Sequence, residues 1–248
     1  MGMKNIIELK NVARYYEMGD NIVKALDGVN IGIEEGDFVA IMGPSGSGKS
    51  TSMNLTGSLD YATKGDIYLD GINIEEMTES ELAQLRGKKI GFIFQQFNLI
   101  PNLTAKENVM LPMTFQGLEI EERIHNAEKL LKLVELDDRM DFYPNQLSGG
   151  QQQRVAIARS LANDPDVVLA DEPTGNLDTK TGGKVMDFLE KLNKKGKTII
   201  MVTHDPDLAR IHARTIYSIR DGKVEFVEKR KGKVWKKVSI KKVCQLSQ

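Results

Sequence analysis

A glycine-rich run at residues 43–51 constrains this chain more than any other part of its sequence. It reads GPSGSGKST and matches the pattern G-x-x-x-x-G-K-[ST] at every fixed position. An apolar run at 38–42 precedes it, and a segment with the character of a helix follows it. In such a setting the glycines let backbone N–H groups turn toward an anion, and the helix N-terminus adds its dipole. The sequence therefore predicts a phosphate-binding loop.

Each residue of this loop has a predicted role in holding a nucleoside triphosphate. We expect Lys49 to reach the β- and γ-phosphates and the Ser50 hydroxyl to ligate Mg²⁺. The other loop residues that we expect to contact the nucleotide are Gly43, Pro44, Ser45, Gly46, Ser47, Gly48 and Thr51. A glycine-rich turn without a ligand is the alternative, but the pattern arises by chance in only about one per cent of chains of this length. Nucleotide binding is the favoured interpretation.

Short β-branched runs alternate with longer segments of helical period, a pattern typical of an α/β domain with a largely parallel sheet. The predicted strands are 6–9, 38–42, 90–94, 167–170, 198–202 and 215–219. Asp221-Gly222 is a hairpin signal that joins the last of these to a strand at 223–227. Residues 104–136 lack a β-rich run and are predicted to be helical, with a break at Gly117. We interpret about 97–160 as a helical subdomain inserted into the α/β core.

Apolar patterning and cysteine content limit the cellular compartments in which we expect the chain to work. No apolar stretch approaches the roughly 20 residues of a membrane-spanning helix, and the first residues lack the apolar run of a secretory signal. The single cysteine, Cys244, cannot form an internal disulfide, which favours a reducing compartment. Any membrane role is therefore expected to come through a partner or through surface contact.

Charge is distributed unevenly along the chain. Eight of the 34 lysine and arginine residues lie at 229–248, where no acidic residue occurs. Residues 1–228 therefore carry 26 basic against 35 acidic side chains, a net charge of −9. This net negative charge on residues 1–228 argues against nucleic-acid binding.

Two further runs place polar side chains at the ends of predicted strands. Asp171 and Glu172 follow the strand at 167–170, at the carboxyl edge where ligands of open α/β sheets lie. Asp171 is suited to hold Mg²⁺ through water, and Glu172 to deprotonate an attacking water. His204 follows the strand at 198–203 and is a candidate contact of the γ-phosphate or that water. Gln95 ends the strand at 90–94, where its amide could ligate the metal. An incidental polar turn is the alternative for each of them.

A second serine–glycine loop, LSGGQQQR at 147–154, opens a predicted helix and is a second candidate anion site. This run resembles the signature motif of ATP-binding-cassette (ABC) proteins. The resemblance extends in order through the phosphate loop, Gln95, the signature, Asp171-Glu172, a loop at 175–178 and His204, and covers about residues 5–228. It implies an α/β fold: a P-loop NTPase core with a mostly parallel sheet, an N-terminal antiparallel β portion and an inserted helical subdomain.

The resemblance also implies a head-to-tail dimer of two ATPase subunits. Each ATP would lie between the phosphate loop of one subunit and the signature of the other. The residues expected to act in trans are Ser148, Gly149, Gly150 and Gln151. Asp178 resembles the family residue that helps to connect the two sites. Tyr16 fits the position of the aromatic residue that stacks on adenine, although Tyr15 is adjacent and a core aromatic is the alternative.

By resemblance, the chain is expected to bind ATP and Mg²⁺, hydrolyse ATP and drive membrane-spanning subunits made as separate polypeptides. It would lie in the cytoplasm, peripheral on the inner face of the cell membrane. Its sequence segments at 41–48, 94–101 and 147–154 are similar to those of the export branch of the family. That branch includes macrolide exporters and lipoprotein-releasing machines. A division-type or regulatory ATPase that moves no cargo is the second reading. A non-membrane cassette of the DNA-repair or translation kind is the third, and the chain lacks the coiled-coil insertion or second cassette usual there.

The basic tail at 229–248 lies outside the region of resemblance. A solvated, partly disordered extension is the favoured reading. Contact with an anionic membrane surface is the alternative, with each Lys or Arg contributing about 1 kcal/mol. Val234, Trp235 and Val238 could assist, but their spacing is judged to fit neither a helix nor a strand.

Overall fold

The computed structural model describes residues 4–19 and 21–239, which fall into two compact units. The first unit contains the chain up to Leu82 and again from Asn193 onward, and the second is Ala83–Leu192. Part of the predicted tail, including Lys241, Lys242 and Cys244, lies outside the described residues.

The described residues combine strands and helices, with strands alone at both ends of the described chain and three successive helices, interrupted only by a short 3₁₀ turn, in its middle. Up to the start of the second unit they are β1 (Asn5–Met18), β2 (Asn21–Glu34), β3 (Phe38–Met42), α1 (Lys49–Thr56), β4 (Lys64–Leu69), β5 (Ile72–Asn73) and α2 (Glu79–Lys89). The next elements are β6 (Ile90–Ile93), α3 (Ala105–Phe115), α4 (Ile120–Leu133), α5 (Gly149–Ser160), β7 (Val167–Asp171) and α6 (Thr179–Lys194). The last are β8 (Thr198–Thr203), α7 (Pro206–His212), β9 (Thr215–Arg220), β10 (Lys223–Lys231) and β11 (Val234–Val238).

An antiparallel sheet of four strands, in the order β2-β1-β4-β5, forms one part of the first unit. It confirms the N-terminal antiparallel portion that the family resemblance implied. Its long β1–β2 hairpin carries several register shifts, one of them between Leu9 and Val12. Leu9, Val12 and Ile31 are fully buried, so the hairpin buries one face against the rest of the unit.

A second sheet in the same unit has strands in the order β11-β10-β9-β3-β8. β3 pairs in parallel with both β8 and β9, and this arrangement confirms the mostly parallel core. Phe38, Val39 and Ile41 of β3 are at most 2% exposed, because a central parallel strand is covered on both faces. The buried Tyr217 of β9 donates its hydroxyl to the Gly32 carbonyl at 2.6 Å and accepts the Gly32 N–H at 3.1 Å, which joins this sheet to β2.

The second unit combines the parallel pair β6–β7 with several helices, of which α3, α4 and α5 pack against one another. The predicted helical stretch 104–136 is confirmed as α3 and α4, and Gly117 lies between them at a φ of 75°. Thr104 and Glu107 form a capping box that starts α3. Met113 of α3 and Leu131 of α4 are fully buried, and burying an aliphatic side chain of this size contributes about 1.5–3 kcal/mol. No helix among the described residues is long and apolar enough to cross a bilayer.

The last two described strands of the first unit form a β-hairpin, which differs from the sequence prediction. β10 continues to Lys231, past the predicted end at 227, and β11 pairs with it antiparallel. The judgement that Val234, Trp235 and Val238 fit no strand was wrong. The reason is that β11 is an edge strand whose largely exposed side chains need not alternate between apolar and polar.

Ion pairs and ring contacts hold this hairpin to the rest of its unit. Lys229 Nζ lies 2.6 Å from a carboxylate oxygen of the buried Glu34. Arg210 of α7 pairs with Glu228 at 2.9 Å and lies over the Trp235 ring at 5.7 Å from its centroid. Lys229, a charge that the sequence assigned to a solvated tail, is therefore used inside the fold.

Candidate active site

The phosphate loop joins β3 to α1 in the first unit. Gly48 caps the N-terminus of α1 in the left-handed region, with a φ of 103°, which glycine adopts without the strain of a side chain. A Cβ at this position would collide with the Ala25 carbonyl of β2, and one at Gly43 would collide with the Ile219 carbonyl of β9. Close backbone approaches therefore require both glycines, and the left-handed turn is a second requirement at Gly48.

Neighbouring main-chain groups brace the loop. The Gly222 N–H, in the β9–β10 turn, donates to the Ser47 carbonyl at 3.0 Å, and the Gly222 carbonyl accepts from the Asp27 N–H at 2.8 Å. Pro44 and Gly46 are exposed on the rim, whereas Ser47 is 3% exposed and its buried hydroxyl oxygen makes no hydrogen bond with the described residues. The loop is thus fixed at its base and open at its rim.

The cationic side chain of the loop lies over the rim. Lys49 Nζ donates to the Pro44 carbonyl at 2.8 Å, and Ser50 is exposed at the start of α1 while Thr51 is half-buried. An ammonium group, a helix N-terminus and open main-chain groups lie together here, as binding of a triphosphate requires. The residues present therefore fit the predicted nucleotide.

The two candidate aromatic residues at the end of β1 have different partners. The Tyr16 hydroxyl donates to Asp60 at 2.9 Å, and the Arg14 guanidinium lies 4.8 Å from its ring centroid. The Tyr15 hydroxyl donates to Asp27 at 2.6 Å, and this bond raises the pKa of the phenol. Both rings are half-buried, and the assignment of Tyr16 to adenine stays a prediction.

His204 follows β8 directly, as the sequence predicted, and it is exposed. The next residue, Asp205, caps α7 by accepting from the N–H groups of Asp207 at 2.9 Å and Leu208 at 3.0 Å. This cap fixes the backbone directly after the histidine.

The predicted acid pair ends β7 in the second unit. Asp171 is the last strand residue, and Glu172 follows it with a φ of 41°, in the left-handed region. A side chain in that region costs about 1–2 kcal/mol, and such strain concentrates at functional positions. Both carboxylates are half-buried. The backbone therefore turns sharply at the residue expected to act as the general base.

The segment after the acid pair contacts Gln95, which lies two residues beyond β6. Asn176 Nδ2 donates to the Gln95 carbonyl at 2.8 Å. A Cβ added at Gly175 would lie 3.0 Å from Gln95 Nε2, so the Gln95 side chain also lies against this segment. The second unit thus brings together Gln95 and the loop at 172–178. Sequence reasoning gave Asn176 no role, and no local pattern links two residues so far apart in the chain.

The signature residues form the start of α5. Ser148 is the N-cap: its Oγ accepts from the Gln151 N–H at 3.3 Å, and the Gln151 side chain accepts from the Ser148 N–H at 2.8 Å. This capping box was missed, although the S-x-x-Q spacing is a recognised signal for it. A Cβ at Gly150 would lie 2.5 Å from Thr181 Cγ2, so the signature packs against the start of α6.

Asp178 and Gln153 hold the loop at 172–178 from its two sides. The Asp178 carboxylate accepts the Thr181 hydroxyl at 2.6 Å and the Thr181 N–H at 3.0 Å, and these bonds, with the hydroxyl foremost, lower its pKa. Asp178 therefore caps α6 within its own subunit. The buried Gln153 of α5 donates to the Pro173 carbonyl at 2.8 Å. Gln153 is another contact that the sequence did not reveal.

The donor chemistry fits Mg²⁺ better than a softer metal. Among the described residues no three His, Cys, Asp or Glu side chains cluster as a ready-made metal site. The predicted ligands, Ser50, Gln95 and Asp171, offer only oxygen atoms. Mg²⁺ is commonly held in this way, by one or two carboxylates together with water and substrate phosphates.

Comparison with known proteins identifies close relatives. The sequence model of the ABC transporter family matches residues 26–175. The chain is 55% identical over 232 residues to the uncharacterized ABC transporter ATP-binding protein MJ0796 of Methanocaldococcus jannaschii, covering 92% of this chain and 98% of that protein. It is 51% identical over 220 residues to the macrolide export ATP-binding/permease protein MacB of Aggregatibacter actinomycetemcomitans, covering 89% of this chain and 34% of MacB.

A solved structure is similar over nearly the same length. It is a dimeric post-hydrolysis state of the MJ0796 cassette bound to ADP and Pi. It has a TM-score of 0.84 and 53% sequence identity, covering 91% of this chain and 99% of that chain.

Proposed function

This chain belongs to the ABC transporter family, and from that premise we propose that it is an ATP-hydrolysing subunit that drives separate membrane-spanning subunits in export. The observation that carries the proposal is the presence of two anion-binding loops, the phosphate loop and the signature, on one chain. A simple kinase or small GTPase has no use for the second loop. Support comes from MacB, whose name joins an ATP-binding part to a permease in macrolide export.

In this proposal the phosphate loop holds the ATP phosphates, with Lys49 at the β- and γ-phosphates, and Tyr16 stacks on adenine. Ser50, Gln95 and Asp171 hold Mg²⁺. The ion, when bound, neutralises charge that develops on the phosphates. Glu172 orients the attacking water and accepts its proton, as a general base does.

The remaining roles concern the γ-phosphate. His204 contacts it or the attacking water from within the same subunit. The signature of a second copy approaches it through Ser148, Gly149, Gly150 and Gln151. The Ser148 oxygen already accepts from its own helix, so the hydroxyl keeps its proton to donate to a phosphate oxygen. ATP thereby completes two incomplete sites and joins two subunits, and hydrolysis releases them. The dimeric MJ0796 structure with ADP and Pi supports this arrangement.

A complementation assay tests the shared site. Lys49→Met and Ser148→Ala variants should each lose most ATPase activity, because every dimer then has two damaged sites. A mixed dimer has one site with both Lys49 and Ser148 intact and one with neither. An equimolar mixture, half of it mixed dimers, should therefore recover about a quarter of the parental rate if the two sites act independently.

Thr104→Ala provides the control for Ser148→Ala, because both remove the N-cap hydroxyl of a capping box in the second unit. Each should lower the free energy of unfolding by about 1 kcal/mol. Only Ser148→Ala should reduce ATP hydrolysis strongly. Mixed variants that stay inactive would exclude a shared site whose two copies act independently, and a parent that works at full rate as a monomer would exclude the shared site altogether.

We place the subunit in the cytoplasm, peripheral on the inner face of the membrane, held there by its membrane-spanning partners. The C-terminal hairpin is proposed to add contact with an anionic lipid surface. Lys231, Lys233 and Lys236 are exposed at its end, together with the 57% exposed Val234. Lys229 is engaged with Glu34 and is not counted among the lipid contacts.

Vesicle binding tests the hairpin surface. Replacing Lys231, Lys233 and Lys236 together by Gln should weaken binding to vesicles containing anionic lipid about 100-fold, since each cation near the surface contributes about 1 kcal/mol. Substitution is preferable to deletion of 229–248, which would cut through β10. The control replaces three exposed lysines on or just after α6: Lys184, Lys191 and Lys195. Equal binding by both triple variants would exclude the surface.

A further inference from the structure

We propose that Asn176 is a positioning residue for Gln95. It would set where the Gln95 side chain presents its amide and make Gln95 move with the loop that begins at Glu172. The inference rests on the proposed function, in which Gln95 is a metal ligand, and it gives a role to Asn176, for which the sequence predicted none.

Gln95 contacts the loop through both its main chain and its side chain. The Gln95 carbonyl accepts from Asn176 Nδ2 at 2.8 Å. Its Cγ and Nε2 would lie 3.5 Å and 3.0 Å from a Cβ built on Gly175, so the side chain runs along the Gly175 backbone. A shift of Asn176 would therefore carry the Gln95 main chain with it, and the Gln95 side chain occupies space that a side chain at position 175 would need.

The segment at 94–98, which contains Gln95, is positioned by contacts from other parts of the chain. β6 ends at Ile93, and residues 94–98 belong to neither a helix nor a strand. Arg159 of α5 fixes the later part of the segment by donating to the carbonyls of Phe97 at 2.9 Å and Asn98 at 2.5 Å. Asn176 supplies the corresponding bond for the earlier part. Side chains donating to backbone carbonyls thus locate this segment.

The loop on the other side of the bond is well anchored. The Gly175 N–H donates to the Glu172 carbonyl at 2.9 Å, and the Leu177 N–H to the Thr174 carbonyl at 3.1 Å. The Asp178 cap and the Gln153 contact hold its end and its beginning. Because the loop is fixed internally, the bond from Asn176 ties Gln95 to the same rigid turn that carries Glu172.

The test compares Asn176→Ala and Asn176→Asp with the parent protein. The readout is the equilibrium affinity for ATP with Mg²⁺ and, separately, with EDTA. Alanine removes one hydrogen bond, and the Mg²⁺-dependent gain in ATP affinity should fall about three- to tenfold. Aspartate should reduce it further, because a carboxylate oxygen would face the Gln95 carbonyl. Affinity in EDTA should stay within twofold. Exposed Asn102, in a turn of the same unit, provides the control as Asn102→Ala.

A double-mutant cycle with Gln95→Ala separates positioning from general destabilisation. If Asn176 acts through the Gln95 side chain, Asn176→Ala should change the Mg²⁺-dependent gain by less than twofold in the Gln95→Ala background. An equal loss in both backgrounds, or a loss in EDTA as well, would overturn the inference. If Gln95→Ala itself leaves the gain unchanged, the proposed metal role of Gln95 fails instead. The Mg²⁺-dependent gain in ATP affinity could instead fall in Gln95→Ala but stay unchanged in both Asn176 variants. That result would exclude the positioning role of Asn176 and leave the metal role of Gln95 intact.

Discussion

Glu172→Gln is expected to bind ATP as the parent does and to hydrolyse it at least about 100-fold more slowly. The amide cannot accept a proton from the attacking water, and removing a general base usually lowers the rate by a factor of about 10²–10⁴. Because ATP binding persists while turnover stops, an ATP-bound dimer should accumulate. Steady-state ATPase rates and size-exclusion chromatography with and without ATP measure the two effects.

The backbone at this position provides an internal control. Glutamine has the same shape as glutamate, so the variant keeps the φ of 41° and its strain. Thermal unfolding without nucleotide should therefore stay close to that of the parent. Glu172→Gln hydrolysing ATP at the parental rate would show that another group is the base.

Gly48→Ala is expected to lower the free energy of unfolding by about 2–4 kcal/mol and to abolish nucleotide binding. The added methyl group would enter the space of the Ala25 carbonyl and come within 2.9 Å of Leu26 Cδ2, while the backbone stays in the left-handed region. The clash can be relieved only by moving β2 or the start of α1, and either movement opens the loop. Chemical denaturation and equilibrium ATP binding measure the two losses.

Gly46→Ala is the matched control. Gly46 also has a positive φ, of 75°, but no heavy atom beyond its chain neighbours lies within 4 Å of a Cβ built there. Its alanine variant should carry only the backbone penalty of about 1–2 kcal/mol. Similar losses in the two variants would mean that the close approach to Ala25 does not constrain the loop.

The parallel strands were predictable because each is a short, buried run of β-branched residues. Phe38–Met42 was predicted to the residue, and Val167–Asp171 to within one. The antiparallel hairpin was predicted only at 6–9, although β1 runs to Met18. Register shifts interrupt its alternation, and β2 contains Asp27-Gly28, a pair more typical of turns. Its stability comes from pairing and from cover on one face, which a local pattern does not record.

The candidate site was predictable where function fixes residue types at short spacing. The loop at 43–51, the signature and Asp171-Glu172 could be named for this reason. Contacts between segments that are distant in the chain could not be predicted in this way. Nothing in the sequence near Asn176, for example, indicates that Gln95 is its partner. Ser148 and Gln151 have the spacing of a capping box, a local signal that also predicts the start of α5 at this point.

The Gly222 N–H donates to the Ser47 carbonyl, so the turn between β9 and β10 supports the base of the phosphate loop. Hairpin turns are commonly regarded as permissive sites for affinity tags, fluorescent labels or inserted peptides. The turn at Asp221-Gly222 should be unsuitable for this purpose. Lengthening it would displace Gly222 and break the hydrogen bond that supports the base of the phosphate loop. A label intended to report on this protein without altering its enzymology belongs elsewhere, for instance at the exposed Gly117 between α3 and α4.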